Sequence, residues 1–256
     1  MKKALIALAV AASAAVSGSA MAWTQNGSGG SVGLGGTLTP EVRVTPWEIK
    51  VGDAVTGLDT AILKGQRFVD ITVNKAIPVL GIRTQSILAF SGKTGVSPQI
   101  DYGDAVNVDA FKNGRAPVTL EVKDNTNAKI GTLTTSLGAS SQVSIKGAWS
   151  GYKHSFSDTA GQGFFGGLPK NKAEVPDEDI AVGVMPEVAE HYTDQGVSRA
   201  VVAATTEFSD PASTYSAYYG AGIELGKIIK ITLDKPASGD APIQWKASLP
   251  VIVTYM

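Results

Sequence analysis

The C-terminal stretch IQWKASLPVIVTYM constrains the fold of this chain more than any other feature. Every second residue from Ile243 to Tyr255 is apolar, and a period of two is typical of a β-strand with one buried face. Pro250 lies on the opposite face, and because proline has no N–H to donate, it indicates an edge strand or a bulge. A long apolar strand on an edge tends to aggregate. We therefore expect another strand to cover it or pair with it.

Shorter runs with the same character recur along the chain and are separated by turn-forming residues. Several short strands with regular turn signals favour a sandwich or a barrel, and the strand–helix alternation of an α/β protein is absent. The fold is therefore predicted to be all-β. The predicted strands are Val42–Val51, Arg67–Val73, Ile77–Ile82, Val118–Val122, Lys129–Leu133, Gln142–Trp149 and Ile223–Leu233.

The stretch from about residue 150 to 213 lacks this alternation. It contains a glycine- and aromatic-rich loop (Gly161–Gly167) and two weakly helical pieces, near Pro186–Tyr192 and Val197–Glu207. We interpret it as a partly helical insertion carried by the β scaffold. Surface insertions commonly carry function, so it is also a candidate binding region.

The first 22 residues have the three parts of a secretory signal peptide. Lys2 and Lys3 provide the positive start, Ala4–Val16 is the apolar middle, and Ala20–Ala22 is the small-residue cleavage site. The apolar run is shorter than the roughly 20 residues that span a bilayer. The mature chain is therefore predicted to begin at Trp23 and to be exported.

Residues 23–40 form an extension rich in Gly, Ser and Thr, ahead of a predicted domain over residues 41–256. Such a segment has too little apolar surface to fold alone. Its apolar and small residues nevertheless alternate onto one face of an extended strand. The extension is therefore either a strand for which the partner lies elsewhere or a flexible linker. The residues on that face are Val32, Leu34, Gly36 and Leu38.

Composition excludes several classes of function. The 256 residues include no cysteine, which rules out thiolate metal sites, iron–sulfur clusters and cysteine nucleophiles. The formal net charge is −1, so a nucleic-acid partner, which requires a basic face, is not expected.

The motifs that resemble catalytic ones lack the context that catalysis needs. Gly161–Gly166 matches G-x-G-x-x-G, but no helix is predicted to follow it, as a dinucleotide site requires. The two histidines, His154 and His191, have no G-x-S-x-G partner motif. The acidic turn Asp177–Asp179 could supply paired carboxylates for glycoside hydrolysis, although adjacent acids in a turn are more often solvated. We predict that the chain is not an enzyme and that it binds no cofactor or metal.

Several short segments match one family in the right order. Gly30–Leu38 follows the signal peptide, and Trp47–Gly52 is similar to a WEWKVG segment. With these segments the chain resembles the K88-type enterobacterial fimbrial subunits, which assemble by the chaperone–usher route. The remaining matches are Leu80–Gly81, Arg83–Thr84, Phe90, Pro98–Ile100, Tyr102, Ala221–Ile223 and Gln244–Tyr255.

The resemblance implies an immunoglobulin-like β-sandwich that lacks its final strand and is completed by donor-strand exchange. A periplasmic chaperone strand first fills the groove, and the N-terminal extension of the next subunit then replaces it. The donor contacts are expected at Val32, Leu34 and Leu38, with Gly36 where bulk is not tolerated. The edge of the acceptor groove is expected at Leu249, Val251, Val253 and Tyr255.

The resemblance also implies partners and a location. The expected partners are neighbouring fimbrial subunits, the chaperone and an outer-membrane usher, and the chain is expected to pass through the periplasm to a fimbrium on the cell surface. The resemblance further implies that the chain is a major subunit and that its insertion binds host glycans. Aromatic faces stack on sugars and polar groups orient them, although the same aromatics could pack a small core. The candidate residues are Trp149, Tyr152, Lys153, Phe156, Phe164 and Phe165.

Some features depart from the family and leave alternatives open. Many chaperone–usher subunits carry a glycine about fourteen residues from the end, where this chain has Ile243. The match is poor over the insertion, where receptor binding is expected. The alternatives are a minor fimbrial subunit, a monomeric secreted carbohydrate-binding β-sandwich, and a glycosidase that uses the acidic turn.

Overall fold

The computed structural model describes residues 34–38, 44–198 and 200–256, with the backbone alone for residues 201 and 202. The chain divides into two compact units, residues 1–43 and residues 44–256. In the first unit, residues 34–38 belong to no strand or helix. The predicted signal peptide and its cleavage site lie outside the described residues.

The second unit is built almost entirely of β-strands. Its one α-helix, within the described ranges, is α1 (Ile180–Val184), and four 3₁₀ turns accompany it at Gly103–Ala105, Val108–Ala110, Lys172–Glu174 and Pro186–Ala189. The strands are β1 (Trp47–Val51), β2 (Phe68–Thr72), β3 (Ile77–Thr84), β4 (Phe90–Ser91), β5 (Pro98–Asp101), β6 (Arg115–Lys123), β7 (Lys129–Lys146), β8 (Gly151–Ser155), β9 (Ala200–Ala204), β10 (Thr214–Ile223), β11 (Ile228–Leu233) and β12 (Ile252–Tyr255).

Ten of these strands form one open sheet in the order β1-β3-β10-β7-β11-β2. Strand β4 pairs with β10, β6 and β8 pair with β7, and β9 pairs with β8. The strand β7 is 18 residues long and joins two regions of the sheet. Its first half pairs with β6 and β11, and its second half pairs with β8 and β10.

A second sheet contains β12 and β5, in the antiparallel register Val253↔Ile100. Its apolar side chains pack against those of the large sheet. The first core lies between them and includes Leu80, Leu137, Val143 and Tyr219. A second core lies around β2, β11 and the first half of β7. The structure confirms the predicted all-β, sandwich-like fold with a partly helical insertion.

The helix α1 packs on a patch of the sheet that is formed by glycines, which have no side chain. Gly81 and Gly220 are cross-strand neighbours in β3 and β10. A Cβ added at Gly220 would lie 2.7 Å from the Cβ of Ala181, and one at Gly81 would lie 2.4 Å from the Sδ of Met185. Only glycine lets the helical part of the insertion approach the sheet this closely.

Three local predictions were wrong. The segment Val197–Glu207 was predicted to be helical, but β9 runs through it because it pairs in parallel with β8. The run Ile223–Leu233 is not one strand, because Ile223 ends β10 and a turn separates it from β11. Lys129–Leu133 and the first five residues of Gln142–Trp149 belong to the single strand β7, which ends at Lys146.

Candidate functional site

A large apolar groove of about 1260 Å³ lies open on the second unit. Its floor is the second core, together with β6. These floor side chains are aliphatic, so the bottom of the groove presents no acid, base or nucleophile. They are Val118, Leu120, Leu133, Ile223, Ile229, Ile231 and Leu233.

One wall of the groove is the C-terminal segment, residues 243–251. Its inward face, formed by Trp245, Ala247, Leu249 and Val251, is half-buried, whereas the residues between them are exposed. The alternation that the sequence predicted is therefore present in three dimensions.

The same wall is held to the rest of the domain at few points. Lys246 N–H donates to the carbonyl of Lys123 at 2.9 Å, and Lys123 N–H donates back to Lys246 at 2.9 Å. Beyond residue 251 the chain continues into β12 and its ladder with β5. Between residues 238 and 251, all of them described, Lys246 is the one residue with a backbone–backbone hydrogen bond. Most backbone groups of this wall thus have no backbone partner in the described part of the chain.

The facing wall is the segment from Asp53 to Thr60. The last backbone hydrogen bond before this segment is the one that Gly52 N–H donates to the carbonyl of Val79 at 3.0 Å. Within the described structure, residues 53–62 make no backbone–backbone hydrogen bond. Leu58 and Ile62 are half-buried against the second core, whereas Val55 is 45% exposed. An aliphatic floor bordered by two segments of which most backbone donors and acceptors have no partner among the described residues is the geometry that accepts an extended polypeptide strand.

The predicted acceptor residues fall into two places. Leu249 and Val251 line the groove. Val253 and Tyr255 belong to β12, where they pack against the first core. Sequence reasoning missed the whole facing wall and the floor. The floor follows the apolar alternation of β11, but residues 53–60 show no strand periodicity that could have indicated a wall.

The described part of the predicted donor segment is exposed. Leu34 and Leu38 are 94% and 97% exposed. A Cβ added at Gly36 would meet no heavy atom within 4 Å. Val32 lies outside the described residues.

Two of the predicted glycan contacts are wrong because the side chains are buried. Phe164 is fully buried, and its ring stacks on Tyr219 at a centroid distance of 5.4 Å. Lys153 is 5% exposed, and its Nζ donates to the carbonyl of Thr205 at 2.6 Å. Burial lowers the pKa of Lys153 to about 8. Neither side chain can reach a ligand at the surface.

The other four candidates remain at or near the surface of the insertion. Trp149 is 36% exposed, with Nζ of Lys153 5.6 Å from its ring centroid. Tyr152, Phe156 and Phe165 are half-buried. Their role as glycan contacts stays a prediction.

The acidic turn has a structural role. The carboxylate of Asp179 accepts hydrogen bonds from the Tyr218 hydroxyl, from Ser140 Oγ at 3.1 Å and from Val182 N–H at 3.2 Å. Asp179 therefore caps α1 and fastens it to the sheet. Glu178 forms an ion pair with Arg115, which also binds Glu224. In the described residues, no group of three or more His, Cys, Asp or Glu could hold a metal ion.

A buried tyrosine pair fastens the loop 161–167 to the first core. The hydroxyls of Tyr102 and Tyr219 are 2.8 Å apart, and the Tyr219 hydroxyl donates to the carbonyl of Gly167 at 3.1 Å. Burial raises the pKa of both phenols. The insertion is therefore part of the core rather than a loosely attached loop.

Comparison with known proteins identifies the family. A family model described as "Fimbrial, major and minor subunit" matches residues 1–256. This chain belongs to that fimbrial subunit family. It is 30% identical to the K88 fimbrial protein AC and 31% identical to the K88 fimbrial protein AB, both of Escherichia coli, over the full length of each chain. The F41 fimbrial protein of Escherichia coli is 28% identical over the full length of both chains.

As a fimbrial subunit, the chain assembles with other subunits into a surface appendage. Membership confirms the predicted family, and this family of structural subunits is not known for enzymatic activity. None of the helices in the described part of the chain has the length and apolar character to cross a membrane.

Proposed function

We propose that this fimbrial subunit polymerises by donor-strand exchange, with residues 30–38 of one copy lying in the apolar groove of the next. The observation that carries the proposal is the groove itself, in which an aliphatic floor lies between two walls of unpaired backbone. An added strand would supply the missing ladder hydrogen bonds and place alternate side chains on the floor. Because donor and groove are different surfaces, the contact runs head to tail and produces an open filament.

The donor segment has the chemistry that this groove requires. Leu34 and Leu38 are large aliphatic side chains at a spacing of four, so they lie on the same face of a strand. Both are almost fully exposed, which costs free energy that burial in a neighbour would recover, by about 1.5 to 3 kcal/mol for each side chain. Gly36 between them allows a close approach to the floor.

A groove that accepts a strand also implies transient partners. A subunit that waits for its neighbour exposes a large apolar surface, which favours aggregation. We propose that a periplasmic chaperone fills the groove with a strand of its own until an outer-membrane usher presents the next subunit. The subunit thus passes through the periplasm to the surface, where its role is that of a major subunit.

The decisive experiment removes the donor side chains and leaves the groove intact. The double variant Leu34→Ser, Leu38→Ser should be exported and folded, but polymers sheared from the cells should fall to background. The matched control is Thr37→Ser, which lies on the opposite face of the strand and should polymerise as the wild type does. Wild-type amounts of polymer from the double variant would refute donor-strand exchange through these residues.

Adhesion is a second candidate function, favoured by the aromatic side chains at the surface of the insertion. Exposed Trp149 and half-buried Tyr152 lie on or next to β8, where their rings could stack on a sugar. On a glycan array, polymers of the wild type should bind and those of Trp149→Ala should not. The control is Phe68→Ala, an aromatic in β2 that is more exposed than Trp149. Equal binding by the Trp149 variant, or no binding by the wild type, would exclude this site.

A further inference from the structure

The place where the N-terminal extension leaves the domain carries a small apolar surface, the exit pole, formed by Val44, Ile87 and Leu88. These side chains are 84%, 65% and 73% exposed. Gln85 N–H donates to the carbonyl of Pro46 at 2.8 Å, just beyond the last pair of the β1–β3 ladder, Trp47↔Thr84. The start of β1 and the loop after β3 therefore lie side by side at the same end of the sheet.

The groove lies toward the other end of β3. Of this strand, Ile77, Pro78 and Val79 line the groove, and they are its first three residues. Three further exposed aliphatic side chains are found here, and we call them the groove pole. Val55 and Ile243 line the groove, whereas Leu225 lies in the turn that follows Ile223, the cross-strand partner of Ile77. They are 45%, 40% and 65% exposed.

Chain length brings the exit pole of one subunit near the groove of the next in a polymer. Val44 follows Leu38 by six residues, which span at most about 20 Å when fully extended. If Leu38 of one subunit lies in the groove of the next, the exit pole must lie within that distance of the neighbour's groove. Exposed aliphatic side chains on both facing ends would then lose water from their surfaces, which is favourable.

We propose that the exit pole packs against the groove pole of the next copy of this chain, forming a subunit contact that is additional to the donor strand. This inference rests on the proposed donor-strand exchange. The contact has a role of its own, because a strand joined to its domain by a short tether would otherwise leave successive subunits free to rotate. The exit pole would limit that rotation and stiffen the fibre.

The test uses the full chain, and because the chain has no cysteine, every introduced thiol is unique. Leu88→Cys is combined in turn with Val55→Cys, Leu225→Cys and Ile243→Cys. Assembled polymers are treated with a short bis-maleimide and separated under denaturing conditions. At least one pair should give a ladder of covalently joined subunits. Bridging within one chain by a short linker is not expected, because the first and last Cα atoms of the eight-residue β3 are about 23 Å apart.

The matched control replaces Leu88→Cys with Phe68→Cys, an exposed apolar residue away from the exit pole, and should give no ladder. Polymers that form with all three pairs but give no ladder would overturn this inference and leave donor-strand exchange intact. Loss of polymer from Leu34→Ser, Leu38→Ser, tested separately, decides donor-strand exchange itself. The two failures are therefore distinguishable.

Discussion

Lys153 is a charged residue in a place that suits an uncharged one. It lies in β8 with 5% of its surface exposed, and its ammonium group has the Thr205 carbonyl and the Trp149 ring as its neighbours. Among the described residues it forms no ion pair with a carboxylate. Burial disfavours the charged form and lowers the pKa of Lys153 to about 8, from an ordinary value of 10.5.

This pKa predicts a specific dependence of stability on pH. Between about pH 8 and 10.5 the unfolded chain holds the proton and the folded chain does not, so the folded state gains stability as pH rises. Below pH 8 both states hold the proton, and the full cost of burying the charge remains. Lys153→Met should therefore be more stable than the wild type at pH 7, by about 1 to 3 kcal/mol. This difference in unfolding free energy should shrink as the pH rises from about 8 to 10.5.

The measurement is chemical denaturation of the two proteins from pH 7 to 10.5, carried out in the Leu34→Ser, Leu38→Ser background, which is proposed not to polymerise. Lys93→Met, at an exposed lysine, is the control and should follow the wild-type curve. A constant difference between Lys153→Met and the wild type over the window would contradict the prediction.

At the scale of elements, sequence periodicity predicts a strand correctly where only one face of that strand is buried. It fails where contacts with neighbouring elements determine the secondary structure. The C-terminal alternation was predicted correctly because its two faces differ in exposure. The small-residue tract Gly138–Ser141 in the middle of β7 shows no alternation, because β6 and β10 pair with it and α1 packs on it. Pairing with β8 likewise overrides the weak helical tendency of Val197–Glu207.

The candidate site likewise has one part that the sequence predicts and one part that it does not. Its C-terminal wall follows a period of two and could be predicted, whereas the donor role of residues 32–38 stays a prediction. The wall at residues 53–60 could not be predicted, because an unpaired segment without a neighbouring strand has no reason to alternate. The burial of Phe164 was also beyond prediction, since Trp47, Phe208 and Tyr219 surround it from distant parts of the chain.

The close approach of α1 to the sheet leads to an element-scale prediction. Gly220→Ala places a Cβ within 2.8 Å of both the Cα and the Cβ of Ala181, so the helix must shift. Such overpacking should cost about 1 to 3 kcal/mol of unfolding free energy. The control is Gly183→Ala, in the helix itself, where an added Cβ meets nothing within 4 Å and helix propensity should add up to about 1 kcal/mol. Urea denaturation gives the unfolding free energy of each variant. Equal unfolding free energies for Gly220→Ala and Gly183→Ala would exclude the packing argument.

At the scale of the whole molecule, the open groove makes the stability of a subunit depend on its occupant. In the Leu34→Ser, Leu38→Ser background, a synthetic peptide of residues 30–39 should bind the empty groove. At a hundredfold excess over its dissociation constant it should add about 2.7 kcal/mol. Since each kcal/mol shifts Tm by roughly 2 to 4 °C at this chain length, Tm should rise by about 5 to 10 °C.

The control is the same peptide with serine in place of both leucines, which should leave Tm unchanged. Differential scanning calorimetry at several peptide concentrations gives the shift. An equal effect of the two peptides would mean that the groove does not recognise the leucine side chains.

The antiparallel ladder between β1 and β3 also decides how the subunit bears tension. In the proposed polymer, the chain that leads to the neighbouring subunit enters the domain at the first residue of β1, and five consecutive residue pairs join this strand to β3. A pull on that chain is directed along the strand, so the ladder is sheared as a unit and its hydrogen bonds share the force. A pull across the strand would instead break them one after another. A fibre of such subunits would therefore resist the drag of flowing liquid at the point where each subunit is tethered to the next.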